Sequence, residues 1–330
     1  MMVTRVLVLG GSSYVAQFVL ERLAREKHFT VACTMRGESA WLPPSLVSAT
    51  LSEQPAASAK GDLAHVYWGV DVGAMVGVRE SVRHFRPDVI VNCVAMSSPA
   101  LCEKDPARTK RINEAGSPRA LVDFLEREID WDLAFDSFLL ARHGRVRGLI
   151  LRIANVLGPQ PPLFSTPQAP KFMEWLHQQL FRPRADADSA AAAAVPPVRL
   201  WSDEIRSFIY VRDIAELLVE LLEQGGAAAA AAATSPRFLL LNVGGVDALS
   251  RAQLADAYVA AMQRSESRRA VVAPVVPTSR AAVDLGFHPP LDARLDTQRL
   301  QQTLSGRARR TPTASFLDAI YCELCCLDAQ

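Results

Sequence analysis

The sequence predicts an α/β protein: a doubly wound parallel sheet followed by a small C-terminal α/β lobe. Three observations carry this reading. "VLVLGGSSYVA", Val6–Ala16, runs from an apolar strand through a glycine turn into the amphipathic stretch "QFVLERLAREK". Strand and helix patterns then alternate, as crossover connections between parallel strands require. "PDVIVNCVA" is continuously apolar, which suits a strand covered on both faces. A glycine turn between the first strand and first helix of such a sheet is the outline of a Rossmann-type fold.

Taken in order, Arg5–Leu9, Thr30–Thr34, Ala64–Gly69 and Asp88–Val94 read as strands, with helices at Tyr14–Arg25 and Gly73–Phe85. Helices around Arg108–Glu126 and Leu133–His143 precede the next buried strand, "RGLILRIANVLGP", which Gly158 and Pro159 end. Pro159–Pro170 reads as a loop and Lys171–Phe181 as a helix. "FIYVRDIAELLVELLEQ" is a strand running into an amphipathic helix, with Asp213 near the helix start. "FLLLNVGG" is a strand, and "ALSRAQLADAYVAAM" a helix capped by Ser250. Two Ala-rich stretches, 185–197 and 225–236, have no periodic apolar face. They are expected to be surface expansions without function, since loop-closure entropy rises slowly with length. The expected division is residues 1–158 for the main sheet and 159–330 for a smaller lobe interleaved with it.

With 330 residues and 49% hydrophobic content, the chain can bury one large core or two smaller ones. The net charge of +1, with both signs mixed throughout, implies neither a nucleic-acid nor an acidic-membrane partner. No apolar run approaches the roughly 20 residues that span a bilayer. The N-terminus enters a strand pattern with no signal-peptide outline. Six scattered cysteines give no secreted disulfide framework, so a reducing, cytoplasmic setting is expected. "CELCC", Cys322–Cys326, contains a Cys-x-x-Cys, but a structural zinc site wants about four ligands and no second pair stands nearby. A helix with half-buried thiols, and no metal, is the expectation.

Three glycines in such a turn allow a tight bend, close approach of a pyrophosphate to backbone N–H groups, and close helix–strand packing. Gly10 and Gly11 keep the bend, while Ser13 and Ala16 stand at the other two glycine positions. Ala16 is a mild change; Ser13 is costly if its φ is positive, although its hydroxyl can donate to a phosphate. An ordinary βα turn shares this outline. Arg36, ending the second strand in "CTMRG", suits a ribose 2′-phosphate and so NADP over NAD; a solvated surface arginine reads the same. Asp71, just past the third strand, can accept from an adenine amino group.

"VLVLGGSSYVAQ", "RPDVIVNCVAMSSPALCEKDP", "RINEAGS" and "LILRIANVLGP" together resemble the extended short-chain dehydrogenase/reductase superfamily. They are most similar to the branch that holds dTDP-4-dehydrorhamnose reductase and the regulatory beta subunit of methionine adenosyltransferase. "IRSFIYVRDIAELLVELL", "LLLNVGGVDALSRAQLADAY" and "LDARLDTQRLQQTL" look like that branch's C-terminal lobe. The resemblance implies an NADP site, with NAD as an alternative, in residues 1–158. Gly10, Gly11, Ser12 and Val15 would line the pyrophosphate, with Ser13 beside them. Asn92, Cys93 and Ala95 would run beneath the nicotinamide ribose, Asn113 matches a helix Asn of the family, and Arg152 lies on a strand leading to the substrate lobe.

The same resemblance implies carbonyl reduction by a Tyr acting as proton donor with a Lys four residues on. The lysines are Lys27, Lys60, Lys104, Lys110 and Lys171, and four before them stand Leu23, Ala56, Ala100, Pro106 and Pro167. No Tyr-x-x-x-Lys exists in the chain, so no catalytic residue is assigned. The connection "EIDWDLAFDSFLLARHGRVRG" is also too short for the strand and helix that carry this pair in the family. Either one central strand has dropped out of the sequence as written, or the Asp88 strand pairs directly with the Leu149 strand. The expected function is therefore a non-catalytic, NADP-binding regulatory protein partnered by the methionine adenosyltransferase catalytic subunit. The alternative is an NADPH-dependent reductase of a nucleotide-sugar.

Overall fold

The computed structural model describes residues 3–37, 63–115, 117–127, 140–141, 145–146, 148–163, 171–183, 196–231, 238–264, 270–283, 290–305 and 310–328. The chain divides into two compact units. The first comprises Met1–Ile150, Pro161–Ser165 and Ala215–Leu239; the second comprises Leu151–Gln160, Thr166–Ile214 and Leu240–Gln330.

The first unit is built on β1 (Thr4–Leu9), β2 (Phe29–Thr34), β3 (His65–Tyr67) and β4 (Val89–Asn92), a four-stranded parallel sheet in the order β3-β2-β1-β4. Val6 pairs with Val31 on one side and Val89 on the other, and β2 pairs with β3 from Ala32↔His65. β1 and β2 are apolar because they are buried: Val6 to Leu9 and Val31 to Cys33 are at most 1% exposed. Helix α1 (Tyr14–Ala24) follows β1 and buries Phe18, Val19, Leu20 and Leu23. Helices α2 (Val78–Phe85) and α5 (Ser117–Arg127) place Val78, Val82, Phe85, Leu121, Phe124 and Leu125 in one cluster with Leu7 and Leu9 of β1. Alternation along β1 turns Val6 and Val8 to the other face, where they too are fully buried, so this parallel sheet is covered on both faces, as in a doubly wound fold.

Three local differences from the sequence expectations have visible causes. The helical pattern beginning at Gly73 is interrupted because Asp71 and Val76 exchange both backbone hydrogen bonds, at 3.0 Å each. That turn places Met75 and Gly77 at positive φ, and α2 starts only after Gly77. The expected Arg108–Glu126 helix is not continuous: two short helices, α3 (Pro99–Lys104) and α4 (Pro106–Lys110), the second overlapping its start, are each opened by a capping side chain and a proline. Ser98 caps the first and Asp105 the second; the wide π turn Arg111–Ala115 then separates α4 from α5. Within the expected Leu133–His143 helix, Leu140–Ala141 instead pair antiparallel with Arg145–Val146; residues 133–139 and 142–143 lie outside the described residues.

The strand read from "RGLILRIANVLGP" forms β5 (Gly148–Ile153) and β6 (Asn155–Leu157). Among the described residues β4 pairs with β1, and β5 with the later strand Phe238–Val243, so the direct pairing of the Asp88 and Leu149 strands is not formed. Contrary to the buried-strand expectation, Ile150 and Ile153 are exposed. An apolar run reports what a strand can bury, not whether an element lies over it.

In the second unit, α6 (Phe172–Leu180) leads into β7 (Phe181–Pro183), and β8 (Val198–Trp201) precedes β9 (Ile205–Tyr210). Helix α7 (Val211–Ala231), which belongs to the first unit from Ala215 on, extends through the first part of the 225–236 insert, consistent with the high helix propensity of alanine. Strand β10 is Phe238–Val243, followed by β11 (Ala248–Leu249) and α8 (Arg251–Arg264), which Ser250 caps by accepting from the Gln253 N–H at 3.1 Å. The remaining elements are β12 (Ala270–Val272), β13 (Val275–Thr278), β14 (Asp292–Ala293), α9 (Gln298–Thr303) and α10 (Thr313–Asp328). Phe181, Tyr258 and Tyr321 meet edge to face in the core with ring centres 5.5–5.8 Å apart, beside the buried His177, whose Nδ1 lies 3.0 Å from the Tyr258 hydroxyl. No helix among the described residues is long and apolar enough to cross a membrane.

On the first unit's surface, His65 and Tyr67 of β3 and His84 of α2 form a ring cluster, with the Tyr67 hydroxyl 2.7 Å from His84 Nδ1. Burial lowers the His65 pKa, and His84 lowers it further. Folding therefore favours the neutral ring: its contribution is present above the unfolded value of about 6.5 and is lost as pH falls through the lower folded value. His65→Phe keeps the ring and removes the titration. Thermal melts between about pH 7 and about pH 5 are expected to show a shallower acid loss in that variant than in the parent; parallel curves would assign the acid loss elsewhere.

Candidate functional site

In an open α/β sheet, ligands bind beyond the carboxyl ends of the strands. Here the sheet order sets the sequence candidates in a row along that edge: Asp71 beyond β3, Arg36 beyond β2, the glycine turn beyond β1, and Asn92 to Ala95 at the end of β4.

The turn is held from below by Thr34. Its Oγ1 accepts the Gly10 N–H at 3.1 Å and its carbonyl accepts the Gly11 N–H at 2.8 Å. Gly10 has φ +74°, and a Cβ there would lie 2.6 Å from Val94 Cγ2. A Cβ on Gly11 would lie 2.9 Å from Met35 Cε and 3.0 Å from Cys33 Cβ. Gly10 is thus required by its conformation and by its approach to Val94, while a Cβ at Gly11 would crowd Cys33 and push aside the end of the Met35 side chain.

Ser13 has φ −68°, so the cost feared for a serine at this position does not arise. It is the N-cap of α1, and its hydroxyl accepts the Ala16 N–H at 3.3 Å. Ser12 is exposed, Val15 is half-buried in the first turn, and Ala16 is fully buried where the family's third glycine would pack. The turn leads into the positive N-terminal end of α1, and the two together favour an anion.

Beyond β4, Asn92 Oδ1 accepts the Val94 N–H at 3.0 Å, and the Cys93 N–H donates to the Leu9 carbonyl at 3.0 Å. Burial pushes the Cys93 and Cys33 thiols up to about 12, which leaves neither as a nucleophile. Ala95 is exposed in the extended run that follows. Asn113, on the π turn, brackets Met96: its Oδ1 accepts the Met96 N–H at 2.8 Å and its Nδ2 donates to the Met96 carbonyl at 2.9 Å. The "CEKDP" stretch serves the same run, because Cys102 Sγ donates to the Met96 carbonyl at 3.5 Å.

At the other end of the row, Arg36 Nε lies 3.3 Å from Asp71 Oδ2, while Asp71 Oδ1 accepts the Ala74 N–H at 3.1 Å. Thr34 and Gln17 escaped the sequence reading. Gln17 is 1% exposed, donates to the Ser12 carbonyl at 3.3 Å and accepts the Leu163 N–H at 3.2 Å. The available signals were a hydroxyl ending the strand beside the turn and an amide on the apolar face of α1.

In the second unit, Arg152 is exposed on β5. Tyr210 is stacked on Phe316 at 5.6 Å, and Trp201 lies under the guanidinium groups of Arg251 and Arg280 at 4.4 and 5.2 Å, which makes both packing residues. Asp203 is held down to about 2 by the Ser279 hydroxyl and the Arg280 amide. Arg206 pairs with buried Glu204 at 2.8 Å. Cys322 is exposed and Cys325 half-buried on α10. Among the described residues no three metal-ligating side chains gather.

The sheet, its order and the strand–turn–helix unit define a Rossmann-type α/β fold. Residues 133–232 match the NAD dependent epimerase/dehydratase family. No curated protein matches the chain. Among solved structures it is similar to a UDP-glucose-4-epimerase from Stenotrophomonas maltophila with bound NAD and formylated UDP-arabinopyranose. That pair has 16% identity and a TM-score of 0.64, covering 99% of each chain. It is also similar to a dTDP-4-dehydrorhamnose reductase from Bacillus anthracis in complex with NADP, at 13% identity and a TM-score of 0.62, covering 98% of this chain and 100% of that one. A UDP-glucuronic acid 4-epimerase from Bacillus cereus in complex with UDP-glucuronic acid and NAD gives 13% identity, a TM-score of 0.61 and the same coverage. At these identities the likeness is one of fold.

Proposed function

We propose that the chain binds a nicotinamide dinucleotide, NADP in preference to NAD, and acts as a non-catalytic regulatory subunit. The observation that carries this is the glycine turn at the carboxyl edge of the sheet: Gly10 and Gly11 pack tightly against Val94, Cys33 and Met35, and the turn leads directly into the N-terminus of α1. The pyrophosphate would lie against Gly10, Gly11, Ser12, Ser13 and Val15, the 2′-phosphate at Arg36, and the nicotinamide ribose along Asn92, Cys93 and Ala95. The cofactor supplies hydride chemistry when a proton donor accompanies it, and the chain has no Tyr-x-x-x-Lys to serve as one. The methionine adenosyltransferase catalytic subunit is the partner that the sequence resemblance suggests, in a cytoplasmic setting.

Fluorescence titration is expected to show saturable NADPH binding tighter than NADH binding; no saturation with either would overturn the binding reading. Co-purification with the methionine adenosyltransferase catalytic subunit is expected, with a change in its kinetics. Neither association nor effect would sink the regulatory reading while leaving the cofactor site intact.

A second reading, a nucleotide-sugar reductase, is favoured by the fold shared with dTDP-4-dehydrorhamnose reductases over nearly the whole chain. Loss of a positioned acid typically costs about 10²–10⁴-fold, so NADPH oxidation with a 4-keto sugar nucleotide is expected at background. A clear rate would put this reading first.

A further inference from the structure

We infer that Asp71 is a specificity-determining positioning residue: it aims the Arg36 guanidinium at a ribose 2′-phosphate and so sets the preference for a 2′-phosphorylated dinucleotide. The inference rests on the cofactor reading above.

Its support is the build of the turn at 71–77. Asp71 is fixed three ways: its N–H donates to the Val76 carbonyl, its carbonyl accepts from Val76, and its Oδ1 accepts from Ala74. Gly73 is packed so closely that a Cβ there would lie 3.3 Å from both Asp71 Oδ1 and Ile112 Cγ1. The turn also holds Met75 at φ 57°, a conformation a non-glycine residue adopts only where its surroundings impose it. With Oδ1 committed to the turn, Oδ2 faces outward at a set position, and Arg36 Nε lies 3.3 Å from it.

The geometry matters because of the shape of arginine. The guanidinium is a planar fork, and a phosphate is best met by its two terminal nitrogens in parallel. A carboxylate against Nε holds the side of the fork and leaves that terminal pair facing away. The Arg36 side chain is 69% exposed, so without such a contact it would sample many rotamers, and ordering it would count against phosphate binding. Asp71 thus acts on the 2′-phosphate through Arg36.

The test uses the full chain with two probes, 2′,5′-ADP and 5′-ADP, titrated calorimetrically against the parent, Asp71→Asn, Arg36→Gln and the double variant. Asp71→Asn keeps the shape and the Oδ1 acceptor but removes the charge facing Arg36. The parent is expected to prefer 2′,5′-ADP. Asp71→Asn should lower that preference, read as the ratio of the two affinities, by about two- to fivefold, the range an exposed oriented ion pair supplies; loss of an adenine contact would weaken both probes alike and leave the ratio unchanged. In the Arg36→Gln background the same change should have no further effect. An unchanged or raised preference in Asp71→Asn, or an equal effect in both backgrounds, overturns the positioning role while leaving dinucleotide binding standing. A parent that binds neither probe overturns the cofactor reading, and this inference with it.

Discussion

Replacing Gly245 by alanine is expected to unfold the second unit's sheet, while the same change at Gly244 is tolerated. A Cβ on Gly245 would lie 1.9 Å from the Phe208 carbonyl oxygen and 3.1 Å from its carbon, both backbone atoms. No rotamer change relieves that contact. Relief requires β9 to move where Phe208 pairs with Asn155 of β6 and its ring sits in the core. The cost should reach at least about 3 kcal/mol, the top of the usual overpacking range. At Gly244 the nearest atoms, Ser207 Cβ and Thr297 Cγ2, are 3.4 Å away, an ordinary contact. Thermal denaturation followed by circular dichroism separates the two variants; a Gly245→Ala protein melting with Gly244→Ala would show that β9 yields cheaply here.

The "LLLNVGG" stretch illustrates what local pattern can convey. The apolar run marks a strand and the two glycines mark its end, yet nothing local says that only the second lies against another strand. The same holds across the molecule. β1 and β2 were legible because a strand buried in a parallel sheet must be apolar throughout, and the glycine turn because its position between strand and helix is local. β4 followed from the same apolar run, although only Val89 of it is buried and Asn92 is exposed, contrary to the expectation of cover on both faces. The 71–77 turn was not legible, since its residues continue a helical pattern and only the Asp71–Val76 bridge interrupts it.

The two short helices after β4 were announced by Ser98-Pro99 and Asp105-Pro106, cap and proline in sequence, and could have been read. In the site, each candidate was individually readable from its place after a strand. What no local pattern could give was their pairing. Arg36 meets Asp71, and Thr34 holds both Gly10 and Gly11, because β2 lies between β1 and β3 in register. Ser13 shows the converse: a departure from the expected glycine that seemed to weaken the turn supplies its helix cap.

That distinction between backbone geometry and side-chain identity can be measured at the turn itself. Gly10→Ala is expected to abolish most dinucleotide binding, whereas Ser13→Gly is expected to leave it near the parent's. At Gly10, alanine must hold φ +74° with its Cβ 2.6 Å from Val94 Cγ2, so the turn either flips or pushes the end of β4 outward. Left-handed backbone costs an L-residue about 1–2 kcal/mol, and the crowding adds to it. Either relaxation moves the Gly10 N–H off Thr34 and re-aims the amides that follow, so one or two hydrogen bonds to a charged group are lost. Each is worth about 1.5–3 kcal/mol, so NADPH affinity should fall at least about tenfold with a modest loss of thermal stability. At Ser13 the backbone is extended, and a glycine cap is weaker than serine by only a few tenths of a kcal/mol. Affinity loss in Ser13→Gly alone would mean that the serine hydroxyl, not the bend, holds the phosphate. A Gly10→Ala protein that is folded and binds NADPH like the parent would mean that the cofactor is held elsewhere than at this turn.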